Sequence, residues 1–396
     1  MIKIVIGENE AGQRVDRFLR KYLGGAPLSM VYRILRKDLK VNGRRVHEDA
    51  QLAPGDEITL YLTEEQLGKI ARSPKKKPAA RRQFRIAYED DQVLIVNKPK
   101  GLLVHGDARE KSNTLANQVC GYLQEKGEYD PARERTFAPA PVNRIDRNTS
   151  GLVIFGKTAE ALRQLTKLIR ERDRIRKFYL AIAAGTIDDE LVLTGALSKD
   201  KETNRVRIVE ATEGQATAAA GQAERLVDIK PAVTPQAVTP QAVTSQAAAT
   251  AGQAERLVDI KQAVISQAAT SQAATPQAAA TAASQQAAPQ PAETRVRPLR
   301  AGRRVSLIEA ELITGRTHQI RVHLAGAGHP LAGDPKYGDP KVNEDCRRYG
   351  VSSQLLHAYR LEFGELDQPL DKLSGKTVEA KPPKVFEQIE KELING

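Results

Sequence analysis

The chain has 396 residues, with 61 Lys+Arg against 49 Asp+Glu and a formal net charge of +12, a balance that suits an anionic partner, nucleic acid first. Its two cysteines, Cys120 and Cys346, exclude a disulfide framework and a four-thiolate zinc site. No apolar run approaches the ~20 residues of a membrane helix and no secretory leader pattern is present, so a soluble cytoplasmic protein with reduced thiols is expected, acting as a monomer.

Residues 1–62 read as a small module. Val15, Phe18, Leu19 and Tyr22 sit at helical spacing, and Gly24-Gly25 and Pro27 break the pattern. The spacing predicts a second helix over 29–37, with Ser29 as N-cap and Met30, Ile34 and Leu35 facing inward. Asn42-Gly43 marks a hairpin turn, and a last strand is expected over Glu57–Leu62. Arg14, Arg17, Arg33, Arg36, Lys37, Lys40, Arg44 and Arg45 cluster on these elements, as an RNA backbone would require. The stretch resembles the S-four RNA-binding domain shared with a ribosomal small-subunit protein. The resemblance covers Arg14 to Leu19, Ser29, Val41 to Val46 and Gly55 to Ile58. Residues 63–83, with Ser73-Pro74-Lys75-Lys76-Lys77-Pro78, read as a basic linker.

A larger domain is expected over 84–213 and 291–396. Val93–Val96 and Leu152–Phe155 are short apolar runs fitting buried strands, and Phe178–Ala183, Arg205–Val209, Val305–Ile313 and Leu361–Phe363 also read as strands. Thr114–Gln124 and Ala159–Arg170 read as helices. Strands and helices interleave without a Gly-rich nucleotide loop, which predicts a mixed α+β domain rather than a doubly wound one. Residues 214–290 differ. They are rich in Ala, Thr, Gln and Pro, and the unit from Gly221 to Lys230 recurs from Gly252 to Lys261. Two copies are too few for a solenoid, and the apolar content is too low to offset chain entropy. A disordered insertion is expected.

Two stretches carry chemistry. Asn143-Arg144-Ile145-Asp146-Arg147-Asn148-Thr149-Ser150-Gly151 sets one carboxylate between two arginines at a turn, where flanking cations favour its ionised form. A solvated salt bridge fits the same residues. Thr314-Gly315-Arg316-Thr317-His318-Gln319-Ile320-Arg321-Val322-His323 alternates arginines and histidines with apolar residues. His318 and His323 lie five apart, poor spacing for metal ligands on one helix face, and no metal is expected. The arginines offer rigid forks for carboxylate or phosphate. In Arg176-Lys177-Phe178-Tyr179, the tyrosine reads as a core ring or as a stacking platform for a base.

Together with Asn97-Lys98-Pro99 and Gly333-Asp334-Pro335-Lys336-Tyr337-Gly338, these motifs resemble an RluA-type pseudouridine synthase, from Tyr88 to about Phe363. One departure is Asn143, where that family usually has His. The resemblance implies isomerisation of uridine to pseudouridine within RNA, with no cofactor. It implies Asp146 as nucleophile or base, Arg321 as its ion-pair partner, and Tyr179 stacking on the target ring and assisting proton movement at carbon 5. Arg144 would enter the RNA stack, with Arg147, Lys177, Arg316 and His318 contacting substrate. The attached S-four-like module favours large-subunit ribosomal RNA. A tRNA pseudouridine synthase and a catalytically silent RNA-binding or ribosome-assembly protein are the alternatives. A glycoside-cleaving enzyme would need a second carboxylate across the scissile bond, and only Asp146 stands out.

Overall fold

The structure, a computed structural model, describes residues 1–24, 26–70, 81–200, 203, 205–209 and 288–394. The chain divides into two units. One comprises Met1–Ser198, Arg205–Val209 and Pro289–Gly396; the other comprises Lys199–Asn204 and Glu210–Ala288. The low-complexity stretch expected over 214–290 lies outside the described residues as far as 287, as do residues 71–80 of the expected basic linker.

In the N-terminal module, helix α1 (Val15–Tyr22) buries Val15, Phe18 and Leu19, the face its spacing predicts. Helix α2 (Leu28–Lys37) buries Val31, Ile34 and Leu35 in the same core. Ser29 is not its N-cap. The helix begins one residue earlier, and the Pro27 carbonyl accepts from the Met30 and Val31 amides at 2.9 and 3.1 Å; the fixed φ of proline suits this entry. Asn42 and Gly43 make the expected turn at φ 50° and 76°. The chain beyond it forms no hairpin strand. Instead β2 (Leu39–Val41) and β1 (Ile2–Val5) flank β3 (Glu57–Leu60) in an antiparallel sheet. Helix α3 (Glu64–Ile70) occupies the start of the stretch read as linker, and Leu67 and Ile70 pack on the module core. Two polar side chains fasten the module to the larger part. Asn9 donates to Glu134 Oε2 at 2.6 Å and accepts from the Ala159 amide at 2.9 Å, and Gln13 Nε2 donates to Thr136 Oγ1 at 3.2 Å.

The larger part is built on a sheet of eleven strands among the described residues. In chain order these are β4 (Arg85–Glu89), β5 (Val93–Lys98), β6 (Ala140–Pro141), β7 (Ser150–Gly156), β8 (Ile175–Ala184), β9 (Leu191–Lys199), β10 (Val206–Val209), β11 (Gln290–Arg300), β12 (Val305–Leu312), β13 (Leu356–Phe363) and β14 (Thr377–Glu379). The main path runs β10-β9-β11-β12-β8-β13-β7-β5-β4, with β14 beside β13 and β6 beside β7. Pairing is largely antiparallel, but β7 runs parallel to β13. Helices α4 (Leu115–Glu125) and α5 (Ala159–Glu171) start where Thr114 and Thr158 accept an amide three residues on, as N-caps do.

Strands β5 and β7 carry the continuous apolar runs Val93–Val96 and Leu152–Phe155 because both of their faces are covered there. Val96, Val153 and Tyr179 share a core with Leu115 and Val119 of α4, and with Ile320 and Leu324 of α6 (Gln319–Gly326). Ile95, Leu152 and Ile154 pack against Ala161 and Leu165 of α5. Strand β11 escapes the sequence pattern because it contains Pro291 and Pro298. Proline is tolerated in a strand at a bulge, and the register with β12 shifts between Pro298 and Arg300.

Gly151 makes the parallel crossing possible. Its φ is +116°, and a Cβ there would lie 2.1 Å from the Ala358 carbonyl oxygen. Neither the backbone angle nor the opposing strand can yield, so Gly151→Ala should destabilise the fold by about 3 kcal/mol or more. Urea denaturation measures this; a loss within about 0.5 kcal/mol, as at an indifferent surface position, would contradict it.

Candidate active site

The loop between β6 and β7 carries Asp146 and is tied down on both sides. Asn143 Oδ1 accepts from the Ile154 amide at 2.8 Å, and its Nδ2 donates to the Leu152 carbonyl at 3.4 Å. The asparagine therefore serves the β7 backbone as donor and acceptor at once, which gives the departure at this position a structural role. On the other side, the buried Lys98 ammonium donates to the carbonyls of Pro99, Leu102 and Arg147 at 3.0, 2.8 and 3.0 Å. The Gly101 amide donates to the same Arg147 carbonyl, and Arg147 Nε returns a bond to Gly101 O. Asp146 is thus held one residue from a knot of backbone contacts.

Burial pulls the pKa of Lys98 down to about 7, against the opposing pull of the Asp146 charge. Between that value and the ordinary 10.5, the unfolded chain binds more protons at this residue than the folded one. Stability should therefore rise with pH through the window. The difference in unfolding free energy between the wild type and Lys98→Met should grow from pH 7 to pH 10 in urea titrations. A difference independent of pH would contradict it.

Helix α6 supplies the cationic side of the site. Gln319 anchors its first turn, accepting from Thr314 Oγ1 at 2.7 Å and the Arg316 amide at 3.0 Å, and donating to the Glu293 carbonyl and Thr294 Oγ1 of β11. Two residues on, Arg321 bridges two carboxylates. Its Nε and Nη2 grip Asp334 at 2.7 and 2.8 Å, and its Nη1 donates to Asp146 Oδ2 at 2.8 Å. The Asp334 side chain is fully buried, that of Arg321 nearly so, and that of Asp146 is 27% exposed; the accessible carboxylate is therefore Asp146. Burial penalises the Asp334 charge, but Arg321 outweighs that and holds the carboxyl below its usual range.

Tyr179 of β8 lines the cleft beside Asp146, with Arg144, Ile145, Leu312, Arg316 and His318 also on its wall. Burial, then the Asp146 charge, raises the phenol well above its ordinary pKa, so Tyr179 enters any reaction at neutral pH as a phenol. Among the described residues its hydroxyl makes no hydrogen bond. Arg144 is exposed and makes no hydrogen bond or ion pair there. Arg316 is half-buried, its Nε on the Pro291 carbonyl. Lys177 lies two residues before Tyr179 and donates to the Ile175 carbonyl at 3.4 Å; it does not line the cleft.

Of the basic residues of the module, Arg17, Arg33, Arg36, Lys37, Arg44 and Arg45 are exposed, and Arg33, Arg36 and Lys37 share one face of α2 by their spacing. Arg14 is instead engaged by Asp16 through Nε and Nη2 at 3.1 and 2.9 Å. Lys40 stands 5.3 Å over the ring of Tyr61. Sequence reasoning assigned no role to Asp334 or to Lys98. Both sit in motifs visible in the chain, Gly333 to Gly338 and Asn97 to Pro99.

The site is thus a carboxylate locked by a buried arginine, beside a tyrosine in a cleft on a largely antiparallel sheet. The family model for RNA pseudouridylate synthase matches residues 92–326, and the chain belongs to that family: it is an isomerase that converts uridine in RNA to pseudouridine. Among its relatives, a protein of Vibrio vulnificus (strain CMCP6) named ribosomal large subunit pseudouridine synthase C is 29% identical over 371 residues, 92% of this chain and 90% of that one. Its namesake in Salmonella typhimurium (strain LT2) is 30% identical over 367 residues, covering 91% and 88%. The solved structure of human RNA pseudouridylate synthase domain containing 4 covers 77% of this chain and 91% of its own, at 18% identity and a TM-score of 0.46.

Proposed function

We propose that this enzyme modifies uridines of large-subunit ribosomal RNA, with Asp146 as the catalytic carboxylate. The observation that carries the proposal is the Asp146–Arg321–Asp334 bridge. It orients a single accessible carboxylate beside Tyr179 and leaves the rest of the cleft to a flipped nucleotide. The names of the relatives over nine-tenths of the chain support the choice of RNA.

In this reading the ribose–N1 bond of the uridine breaks, the base turns, and ribose rejoins at carbon 5; the proton of carbon 5 leaves and N1 gains one. The electrons balance within the nucleotide, so no oxidant or group donor takes part. Asp146 acts on the sugar. Tyr179 stacks on the ring and donates a hydrogen bond from its phenol. Arg144, unengaged and exposed, enters the gap left in the RNA stack; extruding a base costs a few kcal/mol and favours unpaired targets. Arg316 on the cleft wall and the exposed Arg147 meet phosphates, and the S-four-like module of residues 1–62 grips the RNA backbone through Arg33, Arg36, Lys37, Arg44 and Arg45.

The test incubates the purified protein with unmodified large-subunit ribosomal RNA and with tRNA transcripts, followed by nucleoside analysis. Pseudouridine in the ribosomal RNA alone is the expected result. Product in tRNA alone, or in neither RNA, would overturn the substrate reading.

A further inference from the structure

Two side chains approach the same oxygen of Asp146. Arg321 Nη1 lies 2.8 Å from Oδ2, and His318 Nε2 lies 3.9 Å from that atom. His318 reaches it through an uncommon backbone. Its φ is +55° at the N-terminus of α6, a conformation that non-glycine residues adopt at a cost and that persists where the surroundings enforce it. On its far side the ring is held by Tyr337. Its hydroxyl lies 3.0 Å from His318 Nδ1 and accepts from the Val206 amide of β10 at 2.9 Å. Its ring meets His318 edge-to-face at 5.7 Å and lies 5.1 Å from the Arg321 guanidinium.

The protons can be counted. A phenol has one hydrogen and two lone pairs, and the Val206 amide takes one lone pair. If Tyr337 donates its hydrogen to Nδ1, the neutral imidazole carries its own hydrogen on Nε2, facing the carboxylate. The other tautomer would set a nitrogen lone pair against an anionic oxygen, which is repulsive. Burial keeps this ring neutral at physiological pH, its pKa pushed down to about 4.

We propose that His318 is a positioning residue whose Nε2–H, oriented by Tyr337 and the Val206 amide, closes on Asp146 Oδ2 when RNA binds and leaves Oδ1 as the reacting oxygen. The inference rests on the reading of Asp146 as the catalytic carboxylate. A separation of 3.9 Å is too long for a hydrogen bond, and such contacts commonly tighten only in the substrate complex. With Arg321 and His318 both on Oδ2, the carboxylate cannot swing, and Oδ1 is the oxygen left to react.

Two measurements on the full chain test this. In the first, 15N-histidine NMR resolves the tautomers of its six histidines, the His318 signal being the one lost in His318→Gln. The Nε2–H form is expected in the wild type, and a mixture of tautomers in Tyr337→Phe. An Nδ1–H form in the wild type would overturn the proposal. In the second, His318→Leu and Tyr337→Phe should each lower kcat roughly 10- to 100-fold, as loss of an orienting partner does, with KM for RNA unchanged. The double variant should fall no further than His318→Leu. His318→Gln, which keeps a donor near the Nε2 position, should recover most of the rate. Full activity in His318→Leu, a change confined to KM, or multiplicative losses would each overturn the proposal. If Asp146→Asn itself stays active, the underlying reading fails instead, so the two failures are distinguishable.

Discussion

Arg321→Met should unfold more easily than the wild type by about 3–5 kcal/mol, the usual consequence of stripping one partner from a buried ion pair. The guanidinium satisfies both oxygens of Asp334, whose side chain has no solvent exposure, as well as one oxygen of Asp146. Methionine fills similar space but leaves the Asp334 charge buried with only the Lys336 and Tyr337 amides, 2.8 and 3.3 Å from Oδ1, to balance it. Losing the countercharge costs stability whether the group stays ionised or protonates. The effect belongs to the stranded charge rather than to the worth of the pair. Arg321→Met combined with Asp334→Asn, which removes the charge but keeps an oxygen for those amides, should therefore recover part of the loss. Activity should not return in the double variant, because the guanidinium that orients the Asp146 carboxylate is gone. Denaturant titration beside a kinetic assay separates the two quantities. Wild-type stability in Arg321→Met, or an active double variant, would contradict this account of the bridge.

Asp146→Asn should lower kcat by roughly 10^3-fold or more, the scale of a lost proton-transfer or nucleophilic group, while RNA affinity stays within about twofold. The amide is nearly isosteric, and Arg321 keeps its two bonds to Asp334, so α6 has no reason to move. Release of the proton from carbon 5 of uridine reports the chemistry, and filter binding reports affinity. A parallel fall in both would mean that Asp146 serves RNA binding instead.

Much of the site is legible in the sequence because its parts are local. A carboxylate between arginines at a turn before an apolar strand is visible by itself, and so is the arginine-histidine stretch after Thr314. That Asp146, Tyr179 and Arg321 meet follows from sheet order, which sets β8 one strand away from β7 with β13 between them; only the resemblance to a family anticipated it. Asp334 and Lys98 were passed over for the same physical reason. Each is a charged residue in a polar loop motif, and its importance arises from burial that no local pattern encodes. Lys177 shows the converse: its neighbours in sequence are site residues, but its ammonium turns back to its own strand. In the fold, β5, β7, α4 and α5 declare themselves through continuous apolar runs or a threonine cap. Strand β11 does not, because Pro291 and Pro298 argue against a strand until the bulge is seen. Helix α3 hides among the charged residues that lead into the linker.

The most direct test of Asp146 as the carboxylate that modifies ribosomal RNA is made in cells lacking this protein. Large-subunit ribosomal RNA is mapped for pseudouridine after complementation with the wild type or with Asp146→Asn at equal protein levels. The wild type should restore the missing modifications and Asp146→Asn should restore none of them. Restoration of the same positions by both would contradict the assignment.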